Sequence, residues 1–270
     1  MSRLHTMLIT ADPGLGGIGV RAGVDQLFVD LESMGKAARQ GHLDTWKSPH
    51  GPQDISALRQ ALPEAPILVR LNPLYEGSQA EVEDALARGA DALMLPMFHD
   101  AAPVLRFAEM VAGRADVVPL AETRGAVETV AEWLPAVDRL HIGLNDLALD
   151  CGMRFLFQPL AEGMLEAPAE TIRAAGVPFG IGGVARLGGG AVPAQVVLGE
   201  LARLRADWVI LSRAFHGRAT GLDDLPGGFD FGGELVRLAA CYDDWTRAGA
   251  QAIAANRDDL RRRVAAVLQG

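Results

Sequence analysis

Short apolar runs recur along the chain at Met7–Thr10, Gln26–Leu31, Ile67–Leu71, Ala92–Pro96, Val117–Leu120, Leu140–Leu144, Pro178–Ile181 and Trp208–Leu211. Each is rich in Val, Ile, Leu or Met and lacks polar alternation, the pattern of a parallel strand covered on both faces. Between them, Asp54–Leu62, Ala80–Arg88, Ala102–Val111 and Val127–Leu134 carry apolar residues at helical spacing, and turn residues such as Gly89 and Gly113 close several of these segments. Eight such runs joined by helices predict an α/β fold with a parallel sheet. The length of 270 residues favours one closed (β/α)8 TIM barrel, for which roughly 250 residues is typical. Nothing marks a second domain. Residues 1–270 are expected to form one unit, with barrel strands and helices over 1–216. A Gly-rich loop and a long C-terminal helical extension fill 217–270. That tail exceeds what one strand needs for cover, so it packs either on its own barrel or on a neighbouring subunit.

Composition narrows the function classes. With 49% hydrophobic and 22% charged residues the chain reads as globular, and a net charge of −9 without a basic stripe argues against nucleic-acid and anionic-membrane partners. Cys151 and Cys241 are too few for a disulfide framework, and no zinc spacing is present. The N-terminus has no signal-type apolar region, and no apolar run reaches the roughly 18 residues that span a bilayer. A reduced, cytoplasmic protein is the expectation.

Polar residues gather where the runs end, which in this architecture is the active-site face. They are Asp30 and Glu32 after the second run, Arg70 and Asn72 at the third, Glu122 after the fifth, Asn145 and Asp146 after the sixth, and Ser212 and Arg213 after the eighth. Any single acid there reads first as a solvated loop residue or a helix N-cap. Their recurrence at one end predicts convergence on one small volume. Two facing carboxylates that both stay ionised need a cation. Glu122 and Asp146, hard oxygen ligands from adjacent strands, suit Mg²⁺ or Mn²⁺. The lysine count adds a second argument. Only Lys36 and Lys47 are present, both after the second run, so no strand offers the amine that a Schiff-base aldolase requires. Activation of a 2-oxo acid would fall to a metal acting as Lewis acid. Arg70 suits a developing enolate oxygen or a carboxylate, or an ion pair with a barrel acid.

Other segments carry weaker signals. Gly14–Gly19 matches a dinucleotide-binding glycine pattern, but the helix space and acid spacing are wrong, so a flexible loop is expected there. Gly182–Gly190, with Arg186, reads either as an anion-binding loop or as a plain turn. His50 is a candidate general acid/base on a loop above the mouth, or else a surface histidine. Lys36 and Arg39 in the same loop are candidate contacts to a substrate carboxylate.

Five segments together resemble the HpcH/HpaI aldolase and citrate lyase family of the phosphoenolpyruvate/pyruvate barrel superfamily. They are Phe28-Val29-Asp30-Leu31-Glu32, Leu68-Val69-Arg70, Met94-Leu95-Pro96-Met97, Pro119-Leu120-Ala121-Glu122-Thr123-Arg124 and His141-Ile142-Gly143-Leu144-Asn145-Asp146-Leu147. The resemblance runs from about Met7 to Phe215. It implies metal binding by Glu122 and Asp146 and substrate contact by Arg70. It also implies C–C bond cleavage or formation beside a 2-oxo acid or an acyl-CoA thioester, in a trimer or hexamer that exchanges its C-terminal helix. Two departures bear on the site. Asp30-Leu31-Glu32 stands where the aldolase branch has Gly-Glu-His and looks more like the citrate lyase β branch. Gly143-Leu144-Asn145-Asp146 replaces Gly-Pro-x-Asp, which puts Asn145 in reach of the metal's water shell. The reading is a metal-dependent C–C lyase acting through a metal-stabilised pyruvate-like enolate. Arg70 and His50 are its catalytic residues, and Arg70, Asp30, Glu32, Lys36, Arg39, Asn145 and Arg186 its substrate contacts. The alternatives are a citryl- or malyl-type acyl-CoA lyase and a barrel that binds a 2-oxo or sugar acid without turnover.

Overall fold

The computed structural model describes residues 3–35 and 50–269. Lys36 and Arg39 lie outside the described residues. Among the described residues there are nine parallel strands: β1 His5–Ile9, β2 Gln26–Asp30, β3 Ile67–Arg70, β4 Ala92–Met94, β5 Asp116–Val117, β6 Leu120–Ala121, β7 Leu140–Ile142, β8 Phe179–Val184 and β9 Trp208–Leu211. Their order is β5-β4-β3-β2-β1-β9-β8-β7-β6.

The two edges of that order are consecutive pieces of one segment, 116–121. On one side, the N–H groups of Asp116, Val118 and Leu120 donate to the carbonyls of Asp91, Leu93 and Leu95 at 2.8–3.0 Å. On the other, the carbonyls of Val117, Pro119 and Ala121 accept from Asp138, His141 and Gly143 at 3.0–3.1 Å. One stretch of chain therefore bonds to both edges, and the sheet curls round as in a TIM-like barrel. The break between β5 and β6 falls where Pro119 brings no N–H to the ladder.

The apolar runs do not alternate because each strand is covered twice. One cluster fills the inside of the curl and contains Met7, Phe28, Leu68, Ala92, Met94, Val118 and Leu120. Residues of opposite parity, such as Leu8, Leu27, Val69, Leu93 and Ile142, belong to the larger outer cluster beneath the helices. At the N-terminal ends of the strands a polar plug closes the interior. The Arg139 guanidinium lies 3.6 Å from the Trp208 ring centroid and donates to Gln26, while His5 stacks on Trp208 with ring centroids 4.7 Å apart. Burial pushes the Arg139 pKa down to about 10.

The flanking helices are α1 Pro13–Ala22, α2 Pro52–Ala61, α3 Ser78–Ala87, α4 Ala101–Val111, α5 Arg124–Glu128, α6 Val130–Trp133, α7 Leu144–Asp150, α8 Gln158–Ala161, α9 Glu166–Ala175, α10 Ala194–Leu204, α11 Phe231–Thr246 and α12 Ala250–Gln269. Two of them correct the sequence reading. The Gly14–Gly19 stretch, expected as a flexible loop, is the helix α1. Asp12 caps it by accepting from the Leu15 N–H, and Pro13 occupies its first turn. Its glycines serve close packing, since a Cβ on Gly19 would lie 2.7 Å from Leu8 Cδ2. The expected Val127–Leu134 helix is broken into α5, α6 and a 3-10 turn, with Thr129 at the break donating its hydroxyl to the Gly125 carbonyl.

The C-terminal extension is two helices, and both pack on their own barrel. Asn256 Nδ2 donates to the Val196 carbonyl at 3.0 Å, Arg261 Nε to the Ala161 carbonyl at 3.2 Å, and Arg257 pairs with Glu166. No helix among the described residues is long and apolar enough to cross a membrane.

Candidate active site

Five of the predicted strand-end residues line one cavity and Asp30 and Glu32 join it through Arg70, whereas Asn72 lines a neighbouring cavity and Arg213 lines neither. A cavity of about 220 Å³ at the C-terminal ends of the strands is lined by Arg70, Glu122, His141, Asn145, Asp146 and Ser212, with Leu120, Leu144, Leu156 and Ile210 as its apolar part and Gly182 and Gly183 as one wall. Each polar group arrives there for a local reason. Arg70 ends β3 at inward parity, two residues beyond Leu68. Glu122 follows β6 with the same parity as Leu120. The Met97 N–H donates to its Oε1 at 3.2 Å, from a backbone held at φ +54. Thr123 beside it turns outward, donates to the Phe98 carbonyl at 2.6 Å and caps α5 through the Ala126 N–H. Asn145 and Asp146 occupy the first turn of α7, directly after β7.

Arg70 is the charge centre. Its Nε and Nη2 each lie 2.8 Å from a carboxylate oxygen of Asp30, a bidentate pair, and Nη1 lies 3.4 Å from Glu32 Oε2. Asp30 and Glu32 are 4% and 6% exposed. Burial works against the guanidinium charge, but Asp30, Glu32 and Glu122 outweigh it and raise the Arg70 pKa above arginine's ordinary value. The ion-pair role foreseen for Arg70 is thus present, and its remaining N–H groups line the cavity.

Other predicted residues sit apart from this cavity. His50 Nδ1 accepts from the Asp30 N–H at 3.1 Å, so in the neutral ring the proton sits on Nε2. His50 lines a neighbouring cavity with Ser33, Asn72, Glu81 and Asp84. It touches the site through the Asp30 backbone. Arg186 lies with its guanidinium 5.5 Å from the Phe229 ring centroid and does not line the Arg70 cavity.

His141 was missed. The signal was a polar residue inside the apolar run Leu140–Leu144 at inward parity. It is 1% exposed, and its Nε2 lies 2.8 Å from the Gly182 carbonyl. The ring fits because position 180 is glycine, where a Cβ would overlap His141 Nδ1. Burial, with Arg139 and Arg70 nearby, pushes its pKa down to about 4. The pH consequence has a definite sign. Unfolded histidine takes a proton near pH 6.5. The folded ring resists until about pH 4, so the unfolded state binds more protons in that window. Stability contributed at this position is complete above pH 6.5 and falls towards pH 4, by up to about 3 kcal/mol. Replacing His141 with Gln should flatten that part of a denaturant-stability profile measured from pH 8 to 4.5. An unchanged slope would mean the ring is not held neutral.

Among the described residues no group of three or more His, Cys, Asp or Glu side chains is arranged to hold a metal. Glu122 and Asp146 are a pair, 2% and 8% exposed, facing one cavity. A pair is compatible with Mg²⁺, which takes one or two carboxylates and keeps several waters. Asp30, Glu32 and Glu122 act on one guanidinium and Asp146 lines the same cavity, a charge balance that a divalent cation would improve.

No protein-family model matches the sequence, and no curated protein matches it. Solved structures do share the fold. An HpcH/HpaI aldolase from Desulfitobacterium hafniense DCB-2 superposes with a TM-score of 0.61 at 19% identity, covering 84% of this chain and 95% of that one. A HpcH/HpaI aldolase/citrate lyase family protein from Burkholderia cenocepacia J2315 gives 0.59 at 18% identity, covering 81% and 92%. The citrate synthase SbnG gives 0.59 at 15% identity, covering 80% and 89%. At these identities the likeness establishes the fold.

Proposed function

We propose that this chain is a C–C lyase of the HpcH/HpaI aldolase and citrate lyase type, built on a complete (β/α)8 barrel. Its substrate would carry a 2-oxo acid or a closely related unit. The observation that carries the reading is Glu122 and Asp146, two buried carboxylates facing one cavity beside Arg70. The family of the fold neighbours supports the reaction class.

Glu122 and Asp146 would hold Mg²⁺ or Mn²⁺, with Asn145 beside its water shell. That ion would supply charge neutralisation and Lewis-acid polarisation of the keto group. The chain's own residues do the rest. Arg70, fixed by Asp30 and Glu32, cannot swing away, so its remaining N–H groups present donors at a constant position to the oxygen where enolate charge develops. Leu120, Leu144 and Ile210 form an apolar floor that strengthens those donors by excluding water. In the cleavage direction a 4-hydroxyl proton passes to water, the C3–C4 bond breaks, and a proton returns to C3. His50, which lines the neighbouring cavity and bears its proton on Nε2, is proposed to act as an acid by way of water rather than through Nδ1, which is committed to the Asp30 N–H. Lys36, Arg39 and Arg186 are proposed to contact the substrate's remote carboxylate. A homotrimer or homohexamer remains the proposed assembly.

The test incubates purified protein with 4-hydroxy-2-oxo acids, with and without EDTA, and assays pyruvate. Pyruvate release that EDTA abolishes and Mg²⁺ restores is the expected result. Chelator-insensitive cleavage would rule out the metal mechanism. Cleavage of citryl- or malyl-CoA instead would move the chain to the acyl-CoA lyases. Binding of pyruvate without product would make it a binding barrel.

A further inference from the structure

The β8–β9 pairing is irregular at the cavity wall. Gly180 pairs with Trp208 and Gly183 with Ile210, so the register shifts between them and β8 carries an extra residue. Gly182 lies in this bulge at φ +56, a left-handed conformation, and a Cβ there would be 2.8 Å from Leu144 Cδ1. The bulge turns the Gly182 carbonyl towards His141, whose Nε2 lies 2.8 Å away. A carbonyl only accepts, so Nε2 carries the proton and Nδ1 the lone pair. Nδ1 has no hydrogen-bond partner among the described residues. The one polar bond of this buried ring is therefore spent on the bulge.

The consequence for the cavity is direct. Gly182 and Gly183 line it together with Asn145 and Asp146 and add no side chain to it, and Ser212, whose N–H donates to the Val184 carbonyl at 2.8 Å, lines it as well. A regular strand would place backbone and side-chain directions differently along this wall. We propose that His141 is a positioning residue. By donating Nε2–H to Gly182 it holds the β8 bulge and, with it, the side-chain-free part of the cavity that Glu122 and Asp146 also line. The hold on β8 stands on geometry alone; its effect on a bound ligand rests on the function proposed above.

Two variants separate the donor from the volume. His141→Phe keeps a ring of similar size and removes the donor from the part-buried Gly182 carbonyl. His141→Gln places an amide N–H at a reach close to that of Nε2. The first measurement needs no ligand: amide hydrogen exchange at Gly182, Gly183 and Val184, with Leu68 on β3 as the control for global destabilisation. Exchange on β8 should quicken about 10-fold relative to Leu68 in His141→Phe and return to near the native rate in His141→Gln. The second is calorimetric binding of oxalate in the presence of Mg²⁺, which should weaken about 10-fold in the Phe variant and recover in the Gln variant. Equal exchange changes at Leu68 and β8, or a Gln variant no better than Phe, would overturn the proposal. So would unchanged oxalate affinity with a loosened β8. If the native protein binds no oxalate, the proposed function fails, and exchange alone decides whether His141 holds the bulge.

Discussion

Replacing Arg70 with methionine is expected to destabilise the protein by about 3–5 kcal/mol, the cost of stranding buried carboxylates. Methionine keeps much of the side-chain volume, so the loss is electrostatic rather than a cavity effect. Asp30 and Glu32 are 4% and 6% exposed, and both lose the guanidinium that compensates them. Against a total stability near the middle of the usual range, about 10 kcal/mol, a loss this large leaves the variant folded at low temperature. Urea denaturation at pH 7 is the measurement. Adding Asp30→Asn to Arg70→Met should recover part of the loss, because the second change removes a stranded charge. If the double variant were less stable than Arg70→Met by the full cost of Asp30→Asn alone, the two residues would be uncoupled and the buried-pair account would be wrong.

The second large effect is expected at the carboxylate pair. Glu122→Gln keeps shape and the Met97 N–H contact to a side-chain oxygen, yet removes the charge on which the proposed ion depends. Outer-shell partners of a metal are themselves worth about 10–100-fold, so loss of a direct ligand should lower kcat/KM at least about 100-fold, or about 2.7 kcal/mol of transition-state stabilisation. Asp146→Asn should do the same. The double variant should be little worse than either single one, since both act through one ion. Calorimetry with Mn²⁺ gives a readout separate from turnover. A Glu122→Gln protein that binds Mn²⁺ as tightly as the native protein would remove this residue from the metal site.

How much of this was legible without coordinates differs from residue to residue. The alternation of apolar runs and helical spacing is local, and it placed every strand to within a few residues. The strand-end acids and Arg70 were also readable, because the sheet direction alone sends successive run ends to one face. The Gly14–Gly19 helix was not, since its glycines look like a loop until Leu8 and Leu27 are brought against them. Nor was the separation of His50 and Arg186 from the cavity. Loop side chains take their direction from contacts with distant segments, here the Asp30 N–H and the Phe229 ring.

The sequence by itself determined the α/β class, the order of the elements and the acids offered at the strand ends, because these follow from short-range periodicity and chain direction. Tertiary structure alone decided which of those groups meet. Segment 116–121 bonds to both edges of the sheet, so the curl brings residues far apart in sequence to one small volume. Only there do Asp30 and Glu32 fix Arg70, His141 reach the Gly182 carbonyl, and Glu122 and Asp146 line one cavity. Such contacts depend on side-chain parity and register across strands, and a one-residue slip would turn each of these groups to the other face of the sheet.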